Sequence, residues 1–271
     1  AAAEIAALET SALDARVLGA IRAAGAAGTS TDALAPLLGE SRERVVAEAD
    51  TLASSGQVVV VRGRLFAASV AAGVREAILH ALAGGHAEAP WRIGLARDEL
   101  KARAFPGGDD RLYGYVFDGL AAGEVELVGG YARARGFEPR RSAGDEAAAR
   151  AIEQAYRDGR YAPPDRADVL ARAADRPAAE RMFAALLDEG VLVDAGGGVV
   201  FHRDVLVDVE ARVRDHLERE GEITVASLRD MLGSSRKFTL VLLEHFDARR
   251  LTRRVGDKRV PARPAPPSEP S

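Results

Sequence analysis

Residues 236–260 read RKFTLVLLEHFDARRLTRRVGDKRV, and this stretch decides the fold of the last part of the chain. The segment that ends at Phe246-Asp247 predicts a helix, and the run that follows predicts a short strand over 251–254. Gly256-Asp257 then predicts a tight turn, because two-residue hairpin turns need residues that accept a positive φ. A second short strand at Arg259-Val260 completes a helix followed by a two-stranded hairpin.

The same pattern occurs three more times along the chain. In each copy a helical stretch ends at an apolar anchor, a short β-branched run follows, and a glycine-containing turn leads into a second strand. The earlier copies lie at residues 42–66, 111–132 and 177–201, and their turns lie at 62–63, 129–130 and 196–198.

Two further helices precede the hairpin-bearing helix. In the first copy they are predicted over 12–24 and 31–38, with Ser30 or Thr31 as the N-cap. In the last copy they are predicted over 207–220 and 225–232. Three helices and a hairpin within about 60 residues are typical of the winged helix, a helix-turn-helix with a two-stranded wing. The second copy has a looser break, Phe105-Pro106-Gly107-Gly108, before its third helix.

The sequence therefore predicts a mostly α fold with small β-hairpins, built as four tandem winged-helix (helix-turn-helix) units in an elongated arrangement. Because a unit this small buries only about 60% of its unfolded surface, neighbours are expected to stabilise one another. The predicted bounds are 1–68 for winged helix 1, 69–140 for winged helix 2, 141–203 for winged helix 3 and 204–262 for winged helix 4, with connectors near 68–73, 137–144 and 202–205. Residues 263–271, at the proline-rich end, predict a disordered tail.

Basic charge is concentrated near the carboxyl end of the chain. Residues 234–263 hold nine Lys and Arg against three acids, a net charge of +6. Because the whole chain carries −4, residues 1–233 sum to about −9. An acidic body with one basic end indicates a polyanionic partner, and phosphate backbones are the commonest such partner.

Composition and motifs exclude several other classes of function. The chain has no cysteine, so disulfides and thiolate metal sites are excluded. No apolar run reaches membrane-spanning length, and the first residues lack the pattern of a signal peptide. Since no initiator Met is present, the chain is expected to be part of something longer. No phosphate-binding Gly-rich loop ending in Lys-Ser/Thr, no Gly-x-Ser-x-Gly elbow and no His-Glu-x-x-His pair occurs, so no catalytic or metal site is predicted.

The last unit carries the candidate nucleic-acid contacts. In a winged helix that binds nucleic acid, the third helix and the wing present cations to a backbone. Hydroxyl groups before the third helix cap it, and its free N–H groups can meet a phosphate. Arg253 and Arg254 are neighbours on a strand and should face opposite ways, so that one reaches the ligand while the other packs on the third helix or pairs with Asp247. The predicted contacts are Ser234, Ser235, Arg236, Lys237, Arg249, Arg250, Arg253, Arg254, Lys258 and Arg259.

Three alternatives stay open on the residues alone: a solvated charged surface, a DNA-binding regulator and a protein–protein scaffold. A charge run is often only a solvated surface, although acids are nearly missing here and the other three units carry mixed charge. If only the last unit binds, the other three units are expected to serve as a spacer or scaffold. Tandem winged helices also occur in DNA-binding regulators and in protein–protein scaffolds, of which the first would bind duplex DNA as a symmetric dimer.

At the last unit the chain resembles the carboxyl-terminal region of the bacterial selenocysteine-specific elongation factor, SelB. The resemblance rests on residues 222–230, Gly233, Ser235-Arg236-Lys237, residues 242–247 and residues 252–257. A weaker resemblance lies in the second unit at Pro90, Arg92, Gly94, Arg97 and Glu99-Leu100. Units one and three match by architecture more than by motif.

The resemblance implies that this chain is the mRNA-binding arm of a GTPase whose catalytic part is absent here. GTP and magnesium would then bind only in the absent part, which would also bind selenocysteyl-tRNA and connect the arm to the ribosome. The arm would be a cytoplasmic monomer without membrane contact, and it would bind the selenocysteine insertion (SECIS) hairpin of the mRNA. Arg236, Lys237, Arg253 and Arg254 carry over as candidate contacts, whereas Arg249-Arg250 and Lys258-Arg259 depart from the usual family pattern. Splayed loop bases of such a hairpin are readable, while its deep groove is not.

Overall fold

The structure is a computed structural model that describes residues 2–262, with side chains described from residue 13 onward. The predicted tail over 263–271 lies outside the described residues. Within them, three helices followed by a hairpin recur four times. The prediction of a mostly helical fold built from tandem winged-helix units is confirmed.

Winged helices 1 and 2 occupy the first half of the chain. Winged helix 1 consists of α1 (Ala2–Ala24), α2 (Thr31–Leu38), α3 (Arg42–Ser54), β1 (Val58–Val61) and β2 (Arg64–Ala67). Winged helix 2 consists of α4 (Ala68–Glu88), β3 (Leu95–Ala96), α5 (Arg97–Ala104), α6 (Asp110–Ala121), β4 (Val125–Val128) and β5 (Tyr131–Ala134). The break at 105–108 is the turn between α5 and α6.

Winged helices 3 and 4 follow the same order of elements. Winged helix 3 consists of α7 (Ala143–Gly159), α8 (Arg166–Ala171), α9 (Arg176–Asp188), β6 (Leu192–Asp194) and β7 (Val200–His202). Winged helix 4 consists of α10 (Arg203–Glu220), β8 (Ile223–Thr224), α11 (Val225–Leu232), α12 (Arg236–Ala248), β9 (Thr252–Val255) and β10 (Lys258–Pro261).

A short polar side chain begins the third helix of each repeat. Each accepts a hydrogen bond from a backbone N–H that the helix itself leaves unpaired. The acceptors are Ser41 for α3, Asp109 for α6, Asp175 for α9 and Ser235 for α12. The preceding helix of winged helix 4, α11, ends at Gly233, whose φ of 60° is left-handed and favours glycine. Local sequence thus fixes the turn before the third helix.

Two of the three predicted connectors, 68–73 and 202–205, are wrong. Strand β2 runs directly into α4 at Ala68, and β7 runs directly into α10 at Arg203. The last strand residues, Ala67 and His202, are themselves the N-caps, because an N-cap needs the extended backbone that a strand already has. The connector near 137–144 is present over residues 137–142.

Neighbouring winged helices share a hydrophobic core in pairs. Val61 and Phe66 of the first hairpin pack with residues of winged helix 2 such as Phe117. Phe201 of the third hairpin packs in the same cluster as Leu242 and Phe246 of α12. The chain accordingly divides into two compact units, one ending at Pro139 and the other beginning at Arg140. The predicted bounds of the four domains and their elongated arrangement stay predictions.

The wings of winged helices 2 and 4 contain one strand more than the predicted hairpin. In winged helix 4 the order is β8-β10-β9, and both pairings are antiparallel. Lys258 lies opposite Thr224, and Arg259 lies opposite both Ile223 and Arg254. In winged helix 2 the corresponding additional strand is β3, which pairs with β5. The added strand ties the wing to the start of the second helix.

Candidate nucleic-acid interface

The first turn of α12 presents two cations beside free backbone N–H groups. The side chain of Ser235 accepts a hydrogen bond from the N–H of Phe238 at 3.5 Å, which confirms its predicted capping role. Arg236 and Lys237 follow at once, both are exposed, and no acid lies in the first turn. The Lys237 Nζ lies 5.4 Å from the centroid of the Phe238 ring. Because the helix dipole also favours anions here, this end of α12 suits a phosphate.

Replacing Ser235 by alanine is expected to lower the free energy of unfolding by about 1 kcal/mol, the usual cost of a lost N-cap. Thermal unfolding of the variant measures this cost. Ser235→Asp is the matched control, since aspartate also caps helices and should retain wild-type stability. An alanine variant as stable as the wild type would contradict the capping role.

The hydroxyl of Ser234, predicted as an RNA contact, is engaged inside the protein. It donates a hydrogen bond to the main-chain carbonyl of Tyr161, in the loop between α7 and α8. Ser234 is partly buried, so its hydroxyl serves as an internal anchor. Sequence analysis missed Tyr161, although Gly159-Arg160-Tyr161 followed by Pro163-Pro164 marks an unusual break in a helical, alanine-rich stretch.

The wing presents two more cations on β9. Thr252 is buried, whereas Arg253 and Arg254 are both exposed. The Arg254 Nε donates to the carbonyl of Gly256 at 2.9 Å within the wing turn. The prediction that one of the two arginines packs on the third helix or pairs with Asp247 is wrong, because Arg259 takes that place.

Arg259 is an internal residue, and its prediction as an RNA contact is corrected. Its side chain is only 2% exposed, and its Nε lies 3.2 Å from the Asp247 Oδ2. The other carboxylate oxygen of Asp247 accepts a hydrogen bond from the Thr252 hydroxyl at 2.6 Å. Since Arg259 lies opposite the exposed Arg254 in the sheet, adjacent strands carry one structural arginine and one surface arginine.

The remaining predicted cations are either held in ion pairs or lie at the C-terminal end of α12. Lys258 pairs with Glu222, and this carboxylate raises the pKa of the Lys258 ammonium. Arg249 pairs with Glu210 of α10 at 3.0 Å. Arg249 and Arg250 follow the last residue of α12, about 20 Å along the helix from Arg236. The structure therefore does not bring them together with the first turn of α12.

The exposed cation set consists of Arg236, Lys237, Arg253 and Arg254. Among residues 13–262, whose side chains the structure describes, none of these four side chains forms an ion pair. Arg250 is also exposed, with a φ of 57°, but it lies at the far end of α12. An exposed guanidinium without a carboxylate partner has its donors available for phosphate or base edges.

The third helices of the other repeats begin differently. At the start of α3, Arg42 pairs with Asp32 and Arg44 pairs with Glu40. At the start of α9, Arg176 pairs with Glu180 at 2.9 Å. Helix α6 begins with Asp109 and Asp110, whose charges repel phosphate. Of the four third helices, α12 therefore has the N-terminal turn that is best suited to bind an anion.

The motif residues of winged helix 2 have structural roles. Arg92 pairs with Glu99 at 3.2 Å, and the Arg97 guanidinium lies 4.8 Å from the centroid of the Phe117 ring. A Cβ atom at position 94 would lie 2.4 Å from the carbonyl oxygen of Ala132, so only glycine fits there. This part of the motif therefore builds the fold.

Among the side chains of residues 13–262, no group of three or more His, Asp or Glu is placed to hold a metal ion. Within the same range, no helix combines the length and the apolar character that a bilayer-spanning segment needs.

Comparison with protein families matches two of the four repeats. Models described as "Elongation factor SelB, winged helix" match residues 79–131 and residues 215–260. These two segments are similar to winged helices of SelB elongation factors. The second match contains the whole exposed cation set, and the first contains the motif residues of winged helix 2.

Known SelB proteins resemble the chain over different lengths. The selenocysteine-specific elongation factor of Desulfomicrobium baculatum is 27% identical over 198 residues, which are 72% of this chain and 31% of that protein. The chain thus spans about a third of the length of this relative.

Two solved structures are similar at lower identity. The mRNA-binding domain of SelB from E. coli, in complex with SECIS RNA, is 22% identical with a TM-score of 0.38, over 45% of this chain and 99% of that one. A bacterial selenocysteine-specific elongation factor, EF-Sec, is 15% identical with a TM-score of 0.47, over 90% of this chain and 37% of that one.

Proposed function

We propose that this chain is the RNA-binding region of a selenocysteine-specific translation elongation factor and that winged helix 4 binds the SECIS hairpin of the mRNA. The observation that carries the proposal is the exposed cation set within the segment that matches the SelB winged helix. Within the described side chains its four cations have no carboxylate to compete with a phosphate, and two of them extend from the N-terminal turn of a helix. The chain itself is proposed to bind without catalysis.

The rest of the elongation factor would supply the functions that this chain lacks. GTP, magnesium and selenocysteyl-tRNA would bind the part of a SelB protein that this chain does not cover, and that part would dock on the ribosome in the cytoplasm. The chain would act as a monomer, because one cationic module needs one hairpin rather than two symmetric half-sites. The family match does not favour a DNA-binding regulator.

A direct titration tests the proposal. The chain is titrated, by fluorescence anisotropy, into a hairpin RNA that follows an in-frame UGA codon in its own organism. Two further probes are the same hairpin with a scrambled loop and a duplex DNA of equal length. We expect the native hairpin to bind at least about tenfold more tightly than the scrambled hairpin or the duplex DNA. Side chains can recognise the individual unstacked bases of an RNA loop, whereas a regular helix does not present its bases in this way. Equal affinity for duplex DNA would favour the regulator, and no binding to any probe would favour the scaffold.

Hairpin binding is expected to weaken steeply with salt. If all four exposed cations contact phosphates, the logarithm of the association constant should fall with the logarithm of salt concentration with a slope of about −3, because each contact releases condensed counterions. Each cation that reads a base instead makes the slope shallower. Titrations between low and physiological salt measure this slope. A slope near zero would mean that the exposed cation set contacts no phosphates.

A further inference from the structure

The first turn of α12 is held in place by winged helix 3. The hydroxyl of Ser234, one residue before the N-cap, donates to the carbonyl of Tyr161. Four residues along the chain, the Phe238 ring meets the Phe201 ring of β7 edge to face, with centroids 6.3 Å apart. Arg236 and Lys237 lie between these two contacts. Both contacts come from the preceding winged helix.

The loop that holds Ser234 is itself tightly fixed. The Tyr161 hydroxyl donates a hydrogen bond to Asp208 of α10, whose carboxylate also accepts from the Arg212 Nε at 3.1 Å. The Tyr161 side chain packs against the hydrophobic cluster that winged helices 3 and 4 share. Burial of the hydroxyl and its bond to Asp208 raise the pKa of Tyr161, so this hydrogen bond persists through the physiological range.

The backbone of the same loop adopts a rare conformation. Arg160 has a φ of 42° and a ψ of −115°, and such a geometry persists only where its surroundings over-determine it. A Cβ atom at Gly159 would lie 2.8 Å from the Pro164 Cδ, which shows how closely the loop folds on itself. A carbonyl on so constrained a loop is a fixed acceptor for the Ser234 hydroxyl.

The hairpin of winged helix 3 supports α12 along its buried side. Val199 and Phe201 lie in the same hydrophobic cluster as Leu242 and Leu243. This cluster and the Ser234–Tyr161 hydrogen bond thus both hold α12 against winged helix 3, and Ser234 lies two residues before Arg236. Rigid support of a binding element lowers the entropy that is lost when the ligand binds.

We propose that winged helix 3 is a positioning part of the RNA-binding device, and not only a spacer, because Tyr161 and Phe201 fix the turn that carries Arg236 and Lys237. The proposal rests on the proposed function of winged helix 4. Ser234 and Tyr161 act through the two cations and are positioning residues. The hairpin RNA contacts the cations, while the preceding winged helix sets where they lie.

The experiment uses Ser234→Ala in the full chain, with Ser234→Thr as the rescue variant. Ser55→Ala is the matched control, because the Ser55 hydroxyl also donates to a main-chain carbonyl but lies in winged helix 1. Affinity for the hairpin is measured by fluorescence anisotropy at several salt concentrations. Each variant is also made in an Arg236→Ala/Lys237→Ala background.

Ser234→Ala is expected to weaken hairpin binding about fivefold, the size of one net hydrogen bond. The salt slope should stay that of the wild type, since no phosphate contact is deleted. In the Arg236→Ala/Lys237→Ala background the same change should have no further effect, because the groups that Ser234 positions are gone. Threonine should restore binding, and Ser55→Ala should bind as the wild type does.

Hydrogen exchange supplies a readout that does not need RNA. The amides of Phe238 and Thr239 donate to the Ser235 side chain and carbonyl, so they should exchange faster in Ser234→Ala if the first turn loosens. Wild-type affinity and unchanged exchange in this variant would overturn the positioning role while leaving the proposed function intact. If the wild type binds no hairpin, the proposed function fails, and unchanged exchange would then overturn the positioning role as well.

Discussion

Replacing Arg236 and Arg253 together by alanine is expected to weaken hairpin binding by about 4 kcal/mol, roughly a thousandfold. The two guanidinium groups lie on different elements, the first turn of α12 and strand β9. Neither pairs with a carboxylate among the side chains that the structure describes, residues 13–262, so each is expected to give its full set of donors to the RNA. A contact to a base edge costs about 1–3 kcal/mol when lost, and two such contacts on separate elements should add.

The measurement is an anisotropy titration of the double variant and of each single variant. Arg150→Ala is the control, because Arg150 lies on α7 of winged helix 3, is 71% exposed and pairs only with its helical neighbour Glu146 among the described ion pairs. We expect the control to bind as the wild type does. An Arg236→Ala/Arg253→Ala variant whose Kd stays within threefold of the wild-type value would remove winged helix 4 from the proposed interface.

The salt dependence of the single variants separates the two kinds of contact. If Arg253 contacts a phosphate, its alanine variant should lower the salt slope by about one and weaken binding to every RNA alike. If Arg236 reads a base, its variant should keep most of the slope and lose the preference for the native loop over the scrambled loop. The same titrations therefore assign a role to each arginine.

Most of the fold could be predicted from the sequence because its signals are local. Caps such as Ser235, turn glycines such as Gly256 and the recurring order of elements depend on residues close together in the chain. The added strand β8 was missed, since two residues, Ile223 and Thr224, give no strand periodicity, and only their pairing with β10 defines them. The absent connectors were missed for a related reason, because a strand end and an N-cap need the same backbone.

The site was predicted less completely because charge counts do not report burial. Arg254 and Arg259 look alike in the sequence, yet register places one at the surface and the other beside Asp247. The partners of Lys258 and Arg249 are Glu222 and Glu210, which lie 36 and 39 residues earlier in the chain. Ser234 depends on Tyr161, which is 73 residues away. Contacts over such separations follow from packing and not from local pattern.

Shared cores change how the repeats are understood. A winged helix of this size has a small core, and its neighbour supplies the rest. Winged helix 4 therefore depends on winged helix 3 for part of its hydrophobic cluster, through residues such as Phe201. The shared core also fixes the position of α12 relative to winged helix 3. The exposed cations of α12 and the residues that support the helix therefore lie in the same compact unit.

Replacing Arg259 by methionine is expected to lower the free energy of unfolding of the second compact unit by about 3 kcal/mol. The change keeps an unbranched side chain of similar length but leaves the Asp247 carboxylate without its cation. Asp247 is 23% exposed and retains the Thr252 hydrogen bond, which keeps the expected cost at the lower end for a broken buried pair. For a unit of this size the melting temperature should fall by roughly 10 °C, which differential scanning calorimetry measures.

The control for this change is Arg254→Ala, on the residue that lies opposite Arg259 in the sheet. Because Arg254 is exposed and forms no ion pair among the described residues, its loss should alter stability by no more than about 0.5 kcal/mol. The effects on hairpin binding should be the opposite of those on stability. Arg254→Ala should weaken binding, whereas Arg259→Met should bind as the wild type does at temperatures at which the variant is folded. A stable Arg259→Met variant that has lost hairpin binding would instead place the Arg259 guanidinium on the RNA.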